Sequence, residues 1–335
     1  MNKLYSDNSL VSVVMPVKQG RYLKECVTSL CQQTFSRQEI LLIDDGCEKK
    51  YLNDVIQIDD RIKIACNKGK GLVDALNTGL ALVTGELIAR MDADDVALAT
   101  RFEKQIHLLN SMPQKTIVAG KVKIFRTEGE IDEGFKVYQQ WLNSLLLPAD
   151  IERDFFIESP LPHPTVMMPV SVIQDVGRYH DKEWPEDYDY WLRAREAGYQ
   201  FAKPEDVLLN WRDESDRTSR NDPRYEKKAF IELKARYVRH LKQGRSLYVW
   251  GTGKTGIALF DALGAEQDHV KGFIDLHPRR VGKYKRGLPV YPIDDVPLLD
   301  GLILVAVSAR GVREKIREFM HQHKKQETLD FWFFA

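Results

Sequence analysis

The 335-residue chain sets 49 Lys and Arg against 49 Asp and Glu, and this zero net charge argues against bulk nucleic-acid binding. Hydrophobic residues make up 43% and charged residues 29%, the composition of a globular protein with a sizeable core and a length that suggests two domains. No apolar run approaches the roughly 18 residues that span a bilayer, and residues 1–10 are too polar for a signal peptide, so the expected location is the cytoplasm.

Residues 10–17 read as a strand ending at Pro16, and the segment after Gly20 carries helical spacing through Leu23, Val27 and Leu30. A second strand over 39–43 ends in Asp44-Asp45-Gly46, which completes the β-α-β unit of a parallel sheet. Ligands of open α/β sheets collect at the carboxyl ends of strands, so this acid pair is placed to take a sugar hydroxyl or a base N–H; the plain alternative is a turn. Cys26, Cys31, Cys47 and Cys66 show no C-x-x-C spacing and are expected as reduced, packed thiols. A short strand over 62–65 leads to Asn67-Lys68-Gly69-Lys70-Gly71, either a tight turn or a phosphate cradle. The next helix has Leu72, Ala75, Leu76, Gly79 and Leu80 on one face.

The stretch 85–95 organises the chain. Leu87, Ile88, Ala89 and Met91 suit a strand covered on both faces, and that strand runs straight into Asp92, Asp94 and Asp95. Residues two apart in an extended segment project to the same side, so Asp92 and Asp94 aim at one point while Asp95 turns away to cap the next element. Two hard oxygen ligands on one side suit Mg²⁺ or Mn²⁺ carrying a phosphate-bearing substrate, whereas the bland alternative is a turn and helix cap.

Taken in order, the strand ending in Met15-Pro16-Val17, the Asp44-Asp45-Gly46 end, Asn67-x-Gly69, Ala75-Leu76-Asn77-x-Gly79, Thr84-Gly85-Glu86 and Met91-Asp92-Ala93-Asp94-Asp95 resemble the nucleotide-sugar half of inverting family 2 glycosyltransferases. The resemblance covers most of residues 10–220 and implies a GT-A fold, an α/β architecture with a mixed, mainly parallel sheet. It implies Asp92 and Asp94 for the divalent metal and the diphosphate, Asp44 or Asp45 for base and ribose, and Pro16 and Asn67 on the donor nucleotide side. Lys18-Gln19-Gly20 is shorter than the usual loop of that family, and Cys47 replaces a common serine.

Further on, residues 97–109 read as helix and 116–125 as strand, with a variable region from Thr127. His163 stands between Pro162 and Pro164 in an extended loop before a strand; the resemblance makes it an acceptor-side candidate, against a structural histidine. Trp184-Pro185-Glu186-Asp187 opens a helix, and acids in a first turn are favoured by the helix dipole alone. The resemblance places the catalytic base here: Asp187, supported by Glu186, with Asp189 as the lesser alternative. Trp184 is a candidate for stacking on an acceptor sugar, and Trp191 reads as core. After a short strand over 207–209, Arg212, Arg217 and Ser219 fall in a charged loop where related enzymes close over the diphosphate.

The expected domains are residues 1–221, a connecting helix over 222–244, and a small Rossmann-like α/β domain over 245–335. The connecting helix carries Phe230, Leu233, Tyr237 and Leu241 on one stripe and is expected to pack on the catalytic domain, with peripheral membrane contact as the alternative. Gly251, Gly253 and Gly256 follow a strand in G-x-G-x-x-G spacing, and Asp275 ends the next strand about 20 residues later. That makes a candidate nucleotide or NAD site, although glycines serve the turn whether or not a cofactor binds. Residues 331–334 read as a buried last strand.

The resulting expectation is a metal-dependent, inverting glycosyltransferase. It would move a sugar from a nucleoside-diphosphate donor to a saccharide or lipid-linked saccharide, in surface-polysaccharide or lipopolysaccharide assembly, in the cytoplasm or at the inner face of the membrane. One rival is an NAD(P)-dependent sugar-nucleotide oxidoreductase or epimerase centred on Gly251, Gly253, Gly256 and Asp275. Another is a non-catalytic sugar-nucleotide scaffold, against which the paired acids Asp92/Asp94 and Glu186/Asp187 argue.

Overall fold

The apolar runs pair side by side in the computed structural model, which describes residues 4–214, 222–309 and 311–335. The chain divides into two compact units, the first formed by residues 4–151, 160–182 and 186–214. The second comprises 152–159, 183–185, 222–309 and 311–335. This differs from the expected boundaries: the helix after residue 222 belongs to the second unit instead of standing as a connector, and two short earlier segments join it there. Among the described residues no helix is long and apolar enough to cross a membrane, and all four cysteines are free thiols.

In the first unit, strands β1 (Val11–Val17), β2 (Gln38–Asp44), β3 (Ile62–Cys66) and β4 (Leu87–Arg90) run parallel in the order β3-β2-β1-β4. Helices α1 (Leu23–Cys31), α2 (Lys49–Ile56) and α3 (Leu72–Leu80) make the crossovers. Every residue of β1 and β4 except Pro16 is buried, as a parallel sheet covered on both faces requires. Helix α3 lies so close to β1 that a Cβ on Gly79 would stand 2.3 Å from Val14 Cγ1, which is why a glycine occupies that helical position. The strand order reverses between β1 and β4, and such a switch point is where open α/β sheets bind ligands.

The chain continues through β5 (Val96–Ala97), α4 (Arg101–Ser111), β6 (Thr116–Val118), β7 (Lys121–Phe125), α5 (Glu133–Ser144), α6 (Pro148–Asp154), β8 (Met167–Pro169), α7 (Val172–Val176), α8 (Glu186–Glu196), β9 (Gln200–Ala202) and β10 (Val207–Arg212). Strand β8 runs antiparallel to β4 and β6, and β9 pairs parallel with β6, which completes a seven-stranded sheet. The strand expected over 116–125 is broken at Ala119-Gly120, and its halves join different sheets. A Cβ on Gly120 would come within 2.9 Å of Leu208, so the backbone passes β10 too closely there for a side chain. Strands β5, β10 and β7 form the separate three-stranded sheet. Helix α5 falls in the region from Thr127 that was expected to be variable, with Phe135, Tyr138, Trp141 and Leu142 packed into the core that β1, β2 and β4 share.

In the second unit, β11 (Leu247–Trp250), β12 (Val270–Ile274), β13 (Tyr284–Lys285), β14 (Leu288–Tyr291), β15 (Leu302–Val305) and β16 (Phe331–Phe333) form a six-stranded sheet in the order β13-β14-β12-β11-β15-β16. Among the described residues only its β13–β14 edge is antiparallel. The unit's helices are α9 (Lys227–Lys242), α10 (Lys254–Ala262) and α11 (Val312–Gln322). The aromatic run is the buried last strand, β16. Buried Lys234 of α9 donates to the carbonyls of Ile157 and Phe334 at 3.1 and 2.9 Å, and Arg317 of α11 pairs with Asp154 and Glu327 at 2.7 and 2.8 Å. These satisfied polar links tie residues 152–159 into the second unit.

Candidate active site

The parallel register sets Val17, Asp44 and Cys66 level, so the loops after β1, β2 and β3 open on one edge of the first sheet. Asp44 Oδ1 accepts the Gly46 and Cys47 amides at 3.0 and 2.8 Å, which folds the Asp-Asp-Gly turn. Asp45 Oδ1 accepts Asn67 Nδ2 at 2.7 Å and the Gly71 amide at 2.8 Å, tying the second and third loops together. Pro16, Asp44, Asp45 and Asn67 all remain half-buried at this edge, open enough for a ligand to reach. The glycine-rich loop resolves as a turn: the Lys68, Gly69 and Lys70 amides donate to Thr78 Oγ1, Asn67 Oδ1 and Asp74 Oδ2, which leaves them no orientation toward a phosphate.

Just past β4, one carboxylate oxygen each of Asp92, Asp94 and Asp95 lies within 4.8 Å of the others. Asp92 and Asp94 are half-buried and Asp95 is buried. Hard oxygen donors gathered in this way fit Mg²⁺ or Mn²⁺. Asp95 was expected to turn away into a cap; it joins the group instead, and its Oδ1 accepts the Arg212 amide at 2.8 Å.

Arg212 departs from the expectation of a loop arginine closing over a diphosphate. It is the last residue of β10 and is 3% exposed. Its Nε donates to the Asp94 carbonyl and its Nη1 to Thr127 Oγ1, both at 2.7 Å, while Nη2 pairs with Glu25 of α1. The guanidinium carbon sits 3.9 Å from the Tyr22 ring centroid and 4.6 Å from that of Phe125. The side chain thus brackets the acid loop from behind. Arg217 and Ser219 lie outside the described residues.

Two further cations flank the acids, and sequence reasoning passed over both. Arg101 of α4 is fully buried and donates to the Arg90 carbonyl at 2.8 Å; burial draws its pKa down to about 9. Arg90 is buried too, and its Nη1 pairs with Asp92 Oδ1. The signal was in the sequence: a positive charge inside an otherwise apolar strand needs a partner.

On the other side of Arg90 stands the start of α8. Glu186 is 1% exposed, with Oε1 3.9 Å from His163 Nδ1. His163 lies in a short 3₁₀ turn, not an extended loop, and its Nε2 meets the Tyr179 hydroxyl at 3.1 Å. Burial, with Arg90 adding to it, holds the imidazole well below its ordinary pKa, so it is neutral. It is bonded to Tyr179 from inside, with Glu186 beside it, which departs from the expectation of a residue facing the acceptor. Asn77 of α3 clamps Tyr179, donating to its carbonyl and accepting its amide at 2.9 Å each.

Asp189 is buried and engaged with Arg193 at 2.8 Å and His180 at 3.3 Å. Of the three acids in this first turn, Asp187 is the one left partly open. Arg90, Asp187 and Glu186 all lie within electrostatic range of the buried Tyr179 hydroxyl, so the acid cluster and the helix start are neighbours. Trp184 groups with the second unit, where the Arg236 guanidinium covers its ring at 4.5 Å.

The glycine turn of the second unit is closed on itself. A Cβ on Gly256 would fall 1.8 Å from the Gly251 carbonyl oxygen, so that glycine is demanded by the turn. Gly253 opens α10, while Asp275 follows β12 and already receives the Thr252 amide and hydroxyl, Arg280 Nη1 and the His277 amide. Three of these donors fall on Oδ2 and one, the His277 amide, on Oδ1, so much of the carboxylate is spent holding its own turn. No chemistry is assigned to these residues.

Comparison with known proteins agrees with the first unit's geometry. The model of Glycosyl transferase family 2 matches residues 12–176. The amylovoran biosynthesis glycosyltransferase AmsE of Erwinia amylovora is 34% identical over 58% of this chain and 71% of its own length. An uncharacterized glycosyltransferase of Haemophilus influenzae is 31% identical over 63% and 67%, and the O-antigen biosynthesis glycosyltransferase WbnJ of Escherichia coli is 28% identical over 61% and 79%. Among solved structures, S. aureus TarS residues 1–349 in complex with UDP-GlcNAc superposes with a TM-score of 0.51 at 14% identity, covering 77% of this chain and 72% of that one. That likeness speaks to fold alone, and the fold is GT-A. The chain therefore belongs to glycosyl transferase family 2 and is a glycosyltransferase.

Proposed function

We propose that this glycosyltransferase moves a sugar, with inversion, from a nucleoside-diphosphate sugar to a hydroxyl of a saccharide acceptor in surface-polysaccharide assembly. The observation that carries the proposal is the gathering of Asp92, Asp94 and Asp95 at the switch point of the sheet, with half-buried Asp187 in the same neighbourhood. The names of AmsE and WbnJ support the polysaccharide context, and the TarS complex supports a UDP-sugar as the donor to test first.

In this reading Asp92 and Asp94 hold a divalent cation, which when bound offsets charge on the departing diphosphate. Asp44, Asp45, Asn67 and Pro16 line the nucleoside end, where the loops after β1, β2 and β3 open together. Asp187 accepts the acceptor hydroxyl proton as that oxygen bonds to the anomeric carbon and the bond from that carbon to the diphosphate oxygen breaks. Glu186, buried beside His163, supports the helix start and does not take the proton.

The test is to incubate the enzyme with α-linked UDP-, GDP- and CDP-sugars and an oligosaccharide acceptor, and to read the product anomer by NMR. A β-linked product supports the proposal. An α-linked product contradicts the single-displacement scheme, and activity that survives Asp92→Ala with Asp94→Ala contradicts the donor site.

A further inference from the structure

Arg90 is the residue that the proposed reaction leaves without a task. Its side chain is 4% exposed, on the strand that ends at the switch point. Burying a guanidinium is costly, and this one is only partly compensated: Nη1 pairs with Asp92, while Nε has no hydrogen-bond partner among the described residues. A strand serving packing alone would carry an apolar residue here, as its neighbours Leu87, Ile88 and Ala89 do. The position is specific. Arg90 touches one oxygen of Asp92 on one side and lies within electrostatic range of Glu186 and Tyr179 on the other. Its main chain is held from both sides as well, the amide donating to the Val166 carbonyl at 2.9 Å and the carbonyl accepting Arg101 Nη2 at 2.8 Å.

We infer that Arg90 is a positioning residue, which takes Oδ1 of Asp92 so that the other oxygen is presented to the cation, and whose charge ties that carboxylate to the start of α8. A cation ligand that is itself hydrogen-bonded keeps one rotamer, and partners of this kind typically govern affinity by roughly 10- to 100-fold. The inference rests on the assignment of Asp92 as a cation ligand.

The experiment titrates Mn²⁺ in the presence of UDP into wild type, Arg90→Met and Arg90→Lys by calorimetry, with thermal melting as the check on folding. Arg90→Met is expected to weaken Mn²⁺ by roughly 10- to 100-fold and to raise the Mn²⁺ concentration needed for half-maximal turnover in parallel. Arg90→Lys keeps a buried charge but loses the guanidinium's fork, and it is expected to fall between the two. Should Arg90→Met not fold, the lysine variant decides. Wild-type Mn²⁺ affinity in a folded variant overturns the inference while leaving the donor site standing. If wild type itself takes up no Mn²⁺ with UDP, the assignment of Asp92 fails first and the role of Arg90 fails with it.

Discussion

Replacing Arg212 with methionine separates two roles for that side chain. If it brackets the acid loop, its loss is felt before any ligand arrives. The substitution removes the donations to the Asp94 carbonyl and to Thr127 Oγ1, each contributing about 1–1.5 kcal/mol. It also removes the contacts with the Tyr22 and Phe125 rings, together about 1–2 kcal/mol in a buried setting. Glu25 is 55% exposed, so solvent screens its pair with Arg212, which adds under about 1 kcal/mol. Methionine refills part of the volume, and the net loss is about 3 kcal/mol, a large share of the roughly 5–15 kcal/mol that holds a typical domain together. Urea unfolding of the metal-free protein measures it directly, as a lowered midpoint at unchanged slope. A loss below about 1 kcal/mol, accompanied by a raised donor KM, would mean that the arginine swings out to the diphosphate and that the bracket is wrong.

Two other substitutions test the rest of the first unit. Asp187→Asn is expected to lower kcat by about 10²–10⁴-fold with donor KM little changed, whereas Asp189→Asn mainly costs stability through its bonds to Arg193 and His180; steady-state kinetics with melting curves showing the reverse pattern would exchange their roles. Lys203 is 4% exposed, donates to the Leu142 carbonyl at 2.7 Å, and has its pKa drawn by burial from 10.5 to about 7. Because the folded state gives up this proton more readily than the unfolded chain, Lys203 costs stability in full below about pH 7, and the cost fades as pH rises toward 10.5. Lys203→Met is therefore expected to be the more stable protein at pH 7, with an advantage that shrinks by pH 10, and parallel stability curves across that window would contradict the burial argument.

The parallel half of the fold was legible because β1, β2 and β4 are short, mostly apolar runs with glycines in the turns between them, a pattern with few alternatives. The acid cluster was legible for a related reason: Asp92 and Asp94 break an apolar run where charge is costly. What the sequence hid was set by contacts distant along the chain. Nothing local tells that residues 116–125 split between two sheets, since the cause is the close passage of Leu208 by Gly120. Nor does the charged context of Arg212 reveal that it points inward, because Tyr22, Glu25 and Asp94 are far away in sequence. His163 was read from its flanking prolines as a loop residue, yet it is buried and bonded to Tyr179, which is distant along the chain. In the second unit the glycine spacing marked a real strand, turn and helix start, in which Gly256 packs against the Gly251 carbonyl and Asp275 accepts from Thr252, Arg280 and His277.

The central claim is that Asp92 and Asp94 bind the donor's diphosphate through a divalent cation. Calorimetric titration of UDP, with and without Mn²⁺, into wild type and into the Asp92→Ala, Asp94→Ala double variant tests it most directly. Binding is expected to require Mn²⁺ and to vanish in the double variant while the protein stays folded. UDP binding that is indifferent to both the cation and the two substitutions would contradict it.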